Sequence, residues 1–218
     1  MSYSYLDTFD EKLNNILKIK SDHYDEACIL MFVFLEFLSN FVDKQYPSSN
    51  ARYNGANFRN FLSEYSGCES ILKYIQVEKF LNDKAIIHQP DYKQYIDKIE
   101  SSLIRVEDGE DLPISSFLNI DDIVDPAHIK YFQKITIFNK IYDLRNLAVH
   151  NYRNEIDKGI DALEPVLSYT QNIEEVSEGW FNTYIPFDFM YMIVGNCYKK
   201  VREEYKDFAD RFFSEEIL

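Results

Sequence analysis

The chain has 218 residues, of which 46% are hydrophobic, 16% aromatic and 28% charged. This composition excludes a disordered tail, a collagen-like rod and a Gly/Ser linker, and the length allows one large domain or two small ones. The formal net charge of −14 disfavours indiscriminate binding to nucleic acid or to anionic membranes.

Glycine, proline and cysteine usage narrows the class of protein further. Only 6 Gly and 6 Pro are present, too few for the many turns of an all-β protein. The 3 Cys lie far apart with no Cys-x-x-Cys pair, which predicts free thiols in a reducing cytoplasm. No secretory leader is recognisable, and the longest apolar run, Ala27 to Leu35, is too short to cross a membrane. We therefore expect a cytoplasmic, all-α protein without membrane association.

The first half of the chain alternates helical patterns with one loop. Apolar residues recur at three- and four-residue steps over five stretches, which predicts helices at 7–19, 22–42, 57–65, 71–81 and 92–106. The 22–42 segment is apolar nearly all round in its middle, so we expect it at the centre of a bundle. Residues 45–57 contain Pro47, Gly55 and several Ser and Asn, and this composition predicts a loop.

The second half predicts three more helices. They are expected over 127–149, over 156–169 with a perturbation at Pro165, and over 187–213. Residues 107–126 lack periodicity and are predicted to form a surface excursion. The total is an elaborated helical bundle of about seven or eight helices, interpreted as one domain over 1–218.

The chemically informative residues stand at the end of the 127–149 helix, in the run Asp143-Leu144-Arg145-Asn146-Leu147-Ala148-Val149-His150-Asn151-Tyr152. Placed on a helical wheel, Arg145, Asn146, His150 and Tyr152 share one broad face opposite an apolar stripe. This placement predicts that all four side chains project into solvent. The other histidines are scattered and Gly-rich phosphate loops are absent, so we expect neither a metal site nor a nucleotide cofactor.

The run resembles the R-x4-6-H motif of the HEPN superfamily, in which a polar residue follows the arginine. It is also similar to the R-x4-H-x-Y form of HEPN toxins from toxin–antitoxin pairs, with Tyr152 at the tyrosine position. The resemblance covers the motif and the helical character of about residues 22–170, leaving about 187–218 as a C-terminal helical extension. It implies a metal-independent endoribonuclease in a toxin–antitoxin or phage-defence role, working as a homodimer whose motif helices form a composite cleft.

The residue types suit ribonuclease chemistry. His150 can move protons during attack of the ribose 2′-hydroxyl, and Arg145 can hold phosphate oxygens. Asn146 is placed to orient the imidazole or to bind phosphate. Lys134 and Arg153 are candidate RNA-binding residues, because residues 127–158 contain six basic and three acidic side chains, a local charge of +3.

The resemblance further implies that a partner nucleotidyltransferase adds AMP to Tyr152, which would bring negative charge beside Arg145 and block RNA phosphate. An antitoxin is thus a possible protein partner besides RNA.

Purely structural roles would also explain the same residues. Arg145 could pair with Asp143 or with a carboxylate of a neighbouring helix, and His150 could cap the helix C-terminus. The protein would then be a non-catalytic helical module for dimerisation or protein interaction. A third alternative is a small-ligand sensor with an apolar pocket in the bundle.

Overall fold

The computed structural model describes residues 5–45, 54–103, 112–113, 117–152, 168–171 and 181–215. These residues contain nine α-helices: α1 (Tyr5–Ile19), α2 (Tyr24–Gln45), α3 (Asn54–Tyr65), α4 (Glu69–Leu72), α5 (Val77–Leu81), α6 (Lys93–Leu103), α7 (Pro126–Phe132), α8 (Ile137–Asn151) and α9 (Phe187–Glu215). Three short strands, β1 (Leu112–Pro113), β2 (Ser168–Gln171) and β3 (Phe181–Tyr184), form an antiparallel sheet in that order. The predicted helical bundle class is confirmed, and the small sheet is an addition that the sequence patterns did not indicate.

The chain divides into two compact units assembled from separated stretches. Unit 1 comprises 1–67, 144–155 and 190–218, and unit 2 comprises 68–143 and 156–189. Helix α8 therefore begins in unit 2 and ends in unit 1. Neither unit coincides with the predicted core over 22–170, and the interpretation of 1–218 as one domain stays a prediction.

Unit 1 is built around α2, which packs against α1 and α3. One face of α2 is buried, with Cys28, Met31, Phe32, Leu35 and Leu38 at most 2% exposed. The expectation that this helix lies at the centre of the bundle holds for that face alone, because Leu30, Val33 and Phe37 on the opposite side are 43%, 44% and 36% exposed. A pattern that is apolar on every side cannot reveal which side of the helix receives neighbours.

Unit 2 depends on an extended segment, residues 74–76, that is paired on both sides. The Ile75 amide donates to the Leu118 carbonyl at 3.1 Å and the Gln76 amide donates to the Ile135 carbonyl at 2.7 Å. On the same side as Ile135, the Ile137 amide donates to the Tyr74 carbonyl at 2.8 Å. These bonds satisfy backbone groups that a helix would otherwise satisfy internally.

This pairing corrects two predicted helices. The helix expected over 71–81 is split into α4 and α5, and the helix expected over 127–149 is split into α7 and α8 at Thr136, whose ψ is 166°. The Gln76 side chain also donates to the Thr136 carbonyl at 2.8 Å, which holds the break in place. Both interruptions come from long-range backbone pairing, which local periodicity does not encode.

Two further expectations need correction. Phe117, Leu118 and Ile123 are at most 4% exposed, so the described part of 107–126 is not a pure surface excursion. Ser168 and Tyr169 lie in β2 instead of a helix, while the rest of the predicted 156–169 helix lies outside the described residues.

The remaining helices agree with prediction where they are described. Helices α1, α6 and α9 match the expected segments at 7–19, 92–106 and 187–213, and α9 bends at Tyr205. Helix α3 matches 57–65 but begins at Asn54, so the loop predicted over 45–57 is wrong for residues 54–57, which are helical despite Gly55. The three cysteines are buried thiols that form no disulfide with one another, and burial raises the pKa of the Cys68 thiol. In the described ranges, no helix is both long enough and apolar enough to span a bilayer.

Helix α3 ends at a glycine that the backbone requires. Gly67 has a φ of +68°, a left-handed conformation in which an L side chain is strained. The preceding Ser66 carbonyl accepts a hydrogen bond of 2.8 Å from the Asn196 side chain, which fixes this turn to α9 within unit 1. Gly67 is therefore a stop signal for α3.

Gly67→Ala is expected to lower the free energy of unfolding by about 1 kcal/mol, because alanine is strained at this φ. Gly195→Ala is the matched control: Gly195 lies within α9, nothing lies within 4 Å of an added Cβ, and we expect stabilisation of about 0.5–1 kcal/mol. Urea denaturation of both variants measures the two effects. Equal destabilisation by both changes would contradict this assignment.

Candidate active site

The motif residues occupy the last two turns of α8, in unit 1. Earlier in the helix, Lys140 and Asp143 bind unit 2 side chains: Lys140 lies 3.8 Å from Glu78, and Asp143 accepts a hydrogen bond of 2.8 Å from Lys79. Asp143 is therefore not the partner of Arg145. After Asp143, some side chains of α8 face the interior of unit 1 and others face solvent.

Arg145 is buried, with only 5% of the residue exposed. Its guanidinium forms an ion pair with Glu36 of α2 through Nη2 and Oε1, and its Cζ lies 5.9 Å from the centre of the Phe58 ring of α3. The prediction that Arg145 projects into solvent is wrong. The alternative that it pairs with a carboxylate of a neighbouring helix is confirmed.

The helical wheel explains the error. Arg145 lies about 40° around the axis from Ile141 and about 60° from Ala148, both of which are buried. It therefore stands at the margin of the buried sector, and a long side chain there reaches inward when a carboxylate is available. The sequence spacing places Arg145 at the edge of the buried sector of α8, but it does not indicate that Glu36 lies close enough to pair with it.

The Arg145–Glu36 pair is shielded from water. The side chains are 6% and 22% exposed, so both charges lose most of their hydration and depend on each other for compensation. The second carboxylate oxygen of Glu36, Oε2, is also buried and has no hydrogen-bond partner among the described residues. The described residues therefore satisfy the guanidinium side of the pair better than the carboxylate side.

Asn146 restrains the guanidinium directly. The Nη1 group of Arg145 donates a 2.6 Å hydrogen bond to Asn146 Oδ1. Asn146 therefore contacts Arg145, whereas the sequence suggested contact with the imidazole or with phosphate. Glu36, Asn146 and Phe58 together hold the guanidinium in one place.

His150 and Tyr152 lie at the exposed end of the helix. His150 is in the last turn, about 140° around the axis from Arg145, and its side chain is exposed. Tyr152 is 78% exposed and has a φ of +52°, which is uncommon for a residue other than glycine or asparagine. The structure thus places Arg145 and Asn146 in contact and leaves the imidazole and the phenol accessible to solvent.

The two candidate RNA-binding residues have different outcomes. Lys134 is exposed in a short 3-10 helix, Gln133–Ile135, of unit 2. Arg153 lies outside the described residues.

Sequence reasoning missed Glu36 and Phe58. Glu36 had a usable signal, because it is the only charged residue between positions 27 and 38. A lone carboxylate in so apolar a stretch indicates a buried cationic partner. Phe58 had no comparable signal, since 17 Phe occur in the chain and their patterns predict only core positions.

The described ranges hold no group of three or more His, Cys, Asp or Glu side chains placed to bind a metal ion. A scan against protein-family profiles and searches of curated proteins and of solved structures each returned no match.

Removing either charge of the buried pair is expected to destabilise the protein. Arg145→Met leaves the Glu36 carboxylate without its cation, and Glu36→Gln leaves the guanidinium without its anion, each at a cost of about 3 kcal/mol in the free energy of unfolding. The double variant should be more stable than the sum of the single effects by at least about 1 kcal/mol, because it leaves no uncompensated charge. Urea denaturation of the four proteins gives this coupling energy.

Lys79→Met is the matched control for the cycle. Lys79 and Asp143 form an exposed pair, at 40% and 51% exposure, so the change should cost no more than about 1 kcal/mol. Strictly additive effects of the Arg145 and Glu36 changes would contradict the assigned ion pair.

Proposed function

We propose that this protein is a metal-independent endoribonuclease of HEPN type, active as a homodimer and serving in a toxin–antitoxin or phage-defence role in the cytoplasm. The observation that carries the proposal is the end of α8. There Arg145 and His150 lie on the same helix at the R-x4-H spacing. The Arg145 guanidinium is held by Glu36 and Asn146, and the His150 imidazole is exposed. In the proposed dimer, two such helix ends line a composite cleft.

His150 is the proton-transfer group in this mechanism. It accepts the proton of a ribose 2′-hydroxyl as the 2′-oxygen attacks the adjacent phosphorus, and the bond from phosphorus to the 5′-oxygen breaks. The departing 5′-oxygen takes a proton from solvent water and His150 later returns its proton to solvent, so the products are a 2′,3′-cyclic phosphate and a 5′-hydroxyl. General acid–base help of this kind is typically worth about 10²–10⁴ in rate.

Arg145 supplies positive charge beneath the reacting phosphate. Direct contact requires Asn146 to release Nη1, after which this group donates to a phosphate oxygen while Nη2 stays on Glu36. Glu36 is therefore a positioning residue in this proposal.

The sequence charge of residues 127–158 favours RNA there despite the overall −14, even though Lys140 and Arg145 are paired with Glu78 and Glu36. Residues 127–158 carry +3, and Lys134 is exposed within that stretch. Dimerisation would double this charge, while the acidic remainder would disfavour RNA elsewhere on the surface. A particular structured RNA is the substrate class that this distribution favours.

Tyr152 is the proposed site of control. In the reaction that the resemblance implies, its phenol oxygen attacks the α-phosphorus of ATP held by a partner nucleotidyltransferase, and pyrophosphate leaves. One observation supports the position: the side chain is 78% exposed. Its left-handed φ ends α8 in the way that many helices end.

The second candidate is a non-catalytic interaction module. The burial of Arg145 against Glu36 favours it, because a guanidinium committed to a protein carboxylate performs a structural task without any substrate. In that case the exposed end of α8 only contacts a partner.

Replacement of His150 distinguishes the two candidates. Because His150 is exposed, His150→Ala should change the free energy of unfolding by no more than about 0.5 kcal/mol. We expect the wild-type protein to cleave RNA in EDTA, leaving 2′,3′-cyclic phosphate ends, and His150→Ala to be slower by about 10²–10⁴. Gel analysis and end-group mass spectrometry measure both effects.

His88→Ala is the matched control, since His88 is another exposed histidine, and it should cleave at the wild-type rate. Cleavage by His150→Ala at the wild-type rate would refute the catalytic role. Intact RNA with all three proteins would favour the interaction module.

The proposed modification has its own mass signature. Coexpression with a cognate nucleotidyltransferase should add one AMP to the chain at Tyr152, because this phenol is exposed beside the motif. Intact-mass and peptide mass spectrometry detect the adduct, and Tyr152→Phe should abolish it while retaining RNA cleavage. Full neutralisation of cleavage with an unmodified Tyr152 would show that the antitoxin acts in another way.

A further inference from the structure

Unit 1 carries an apolar groove between α1 and α2, of about 490 Å³. We call it the α1–α2 groove. Phe9 and Ile16 of α1 and Leu30, Val33 and Phe37 of α2 line it, and Lys12 stands at its edge. None of these residues belongs to the site at the end of α8.

The α2 wall of the groove is an exposed apolar stripe. Leu30, Val33 and Phe37 are 43%, 44% and 36% exposed, and their spacing of three and four residues places them on one line along the helix. The stripe is about 10 Å long, at 1.5 Å of helix rise per residue. Contiguous apolar side chains at helical spacing on a surface are typical of a docking site for another helix.

The groove has charge of only one sign. Lys12 is the single charged residue among those that line it, and its Nζ lies 5.3 Å from the centre of the Phe9 ring. An occupant that pairs with Lys12 must bring a carboxylate.

We propose that the α1–α2 groove binds an amphipathic α-helix of a partner protein, with apolar residues facing the stripe and an acidic residue facing Lys12. The partner helix places apolar side chains at i, i+3 and i+7 against Leu30, Val33 and Phe37. Its carboxylate pairs with Lys12 and so fixes the direction in which the partner helix lies in the groove. A second copy of this chain fits the groove less well. A twofold contact pairs a patch with itself, and this patch contains a cation and no carboxylate.

The test uses full-length protein and two labelled 18-residue helical peptides. Both peptides carry Leu at i, i+3 and i+7; one has Glu beside the apolar face, and the other has Lys there. We expect Lys12→Glu to weaken binding of the Glu peptide about tenfold and to strengthen binding of the Lys peptide by a similar factor. Fluorescence anisotropy measures the affinities.

Val33→Gln should weaken both peptides about tenfold, because it removes one apolar contact. Val124→Gln is the matched control: Val124 is 90% exposed in unit 2, and its replacement should change neither affinity. Both variants alter exposed side chains and are expected to fold, which their melting temperatures check.

Three outcomes would overturn the proposal. The first is failure of the Glu peptide to bind the wild-type protein, and the second is equal binding of both peptides with no effect of Lys12→Glu. The third is a wild-type dimer that Val33→Gln converts to a monomer in light scattering, which would make a second copy the occupant. RNA cleavage does not enter the test, so it stands apart from the proposed nuclease.

Discussion

The end of α8 is held in place by a buried ion pair between the Arg145 guanidinium and the Glu36 carboxylate. Two largely dehydrated charges on different helices constrain the backbone, because any slide that separates them leaves a charge without compensation. Arg145 joins α8 to Glu36 of α2, and Phe58 of α3 covers the cation. The position of His150 follows from this attachment, since it lies one and a half turns further along the same rigid helix.

The same contact limits what the site can do. A guanidinium that already serves Glu36 and Asn146 has to exchange a partner before it contacts a phosphate, whereas the exposed imidazole needs no rearrangement. This asymmetry separates the proposed nuclease from the interaction module, because catalysis requires both groups and a structural role requires only the first. The unpartnered Glu36 Oε2, in the described part of the chain, shows that the pair is not fully satisfied by those residues alone.

Helical periodicity was sufficient for α1, α3, α6 and α9, because each carries apolar residues at three- and four-residue steps without an interruption by long-range backbone pairing. It failed at Thr136 and at residues 74–76, where backbone groups from distant parts of the chain pair with each other. The candidate site was located by spacing, yet the burial of Arg145 depends on Glu36, which lies 109 positions away in the sequence. The sequence did not show which side of α2 is exposed, because a helix that is apolar all round has no polar face to mark that side.

Glu36 and Asn146 immobilise the Arg145 guanidinium. Side-chain nitrogen NMR of the ¹⁵N-labelled protein tests this immobilisation most directly. If both Nη groups are held, rotation about the bonds to Cζ is slow and separate Nη proton signals appear for Arg145, to be assigned by their loss in an Arg145→Lys sample. Glu36→Gln should merge them. A single averaged Nη signal for Arg145 in the wild-type protein would contradict the account.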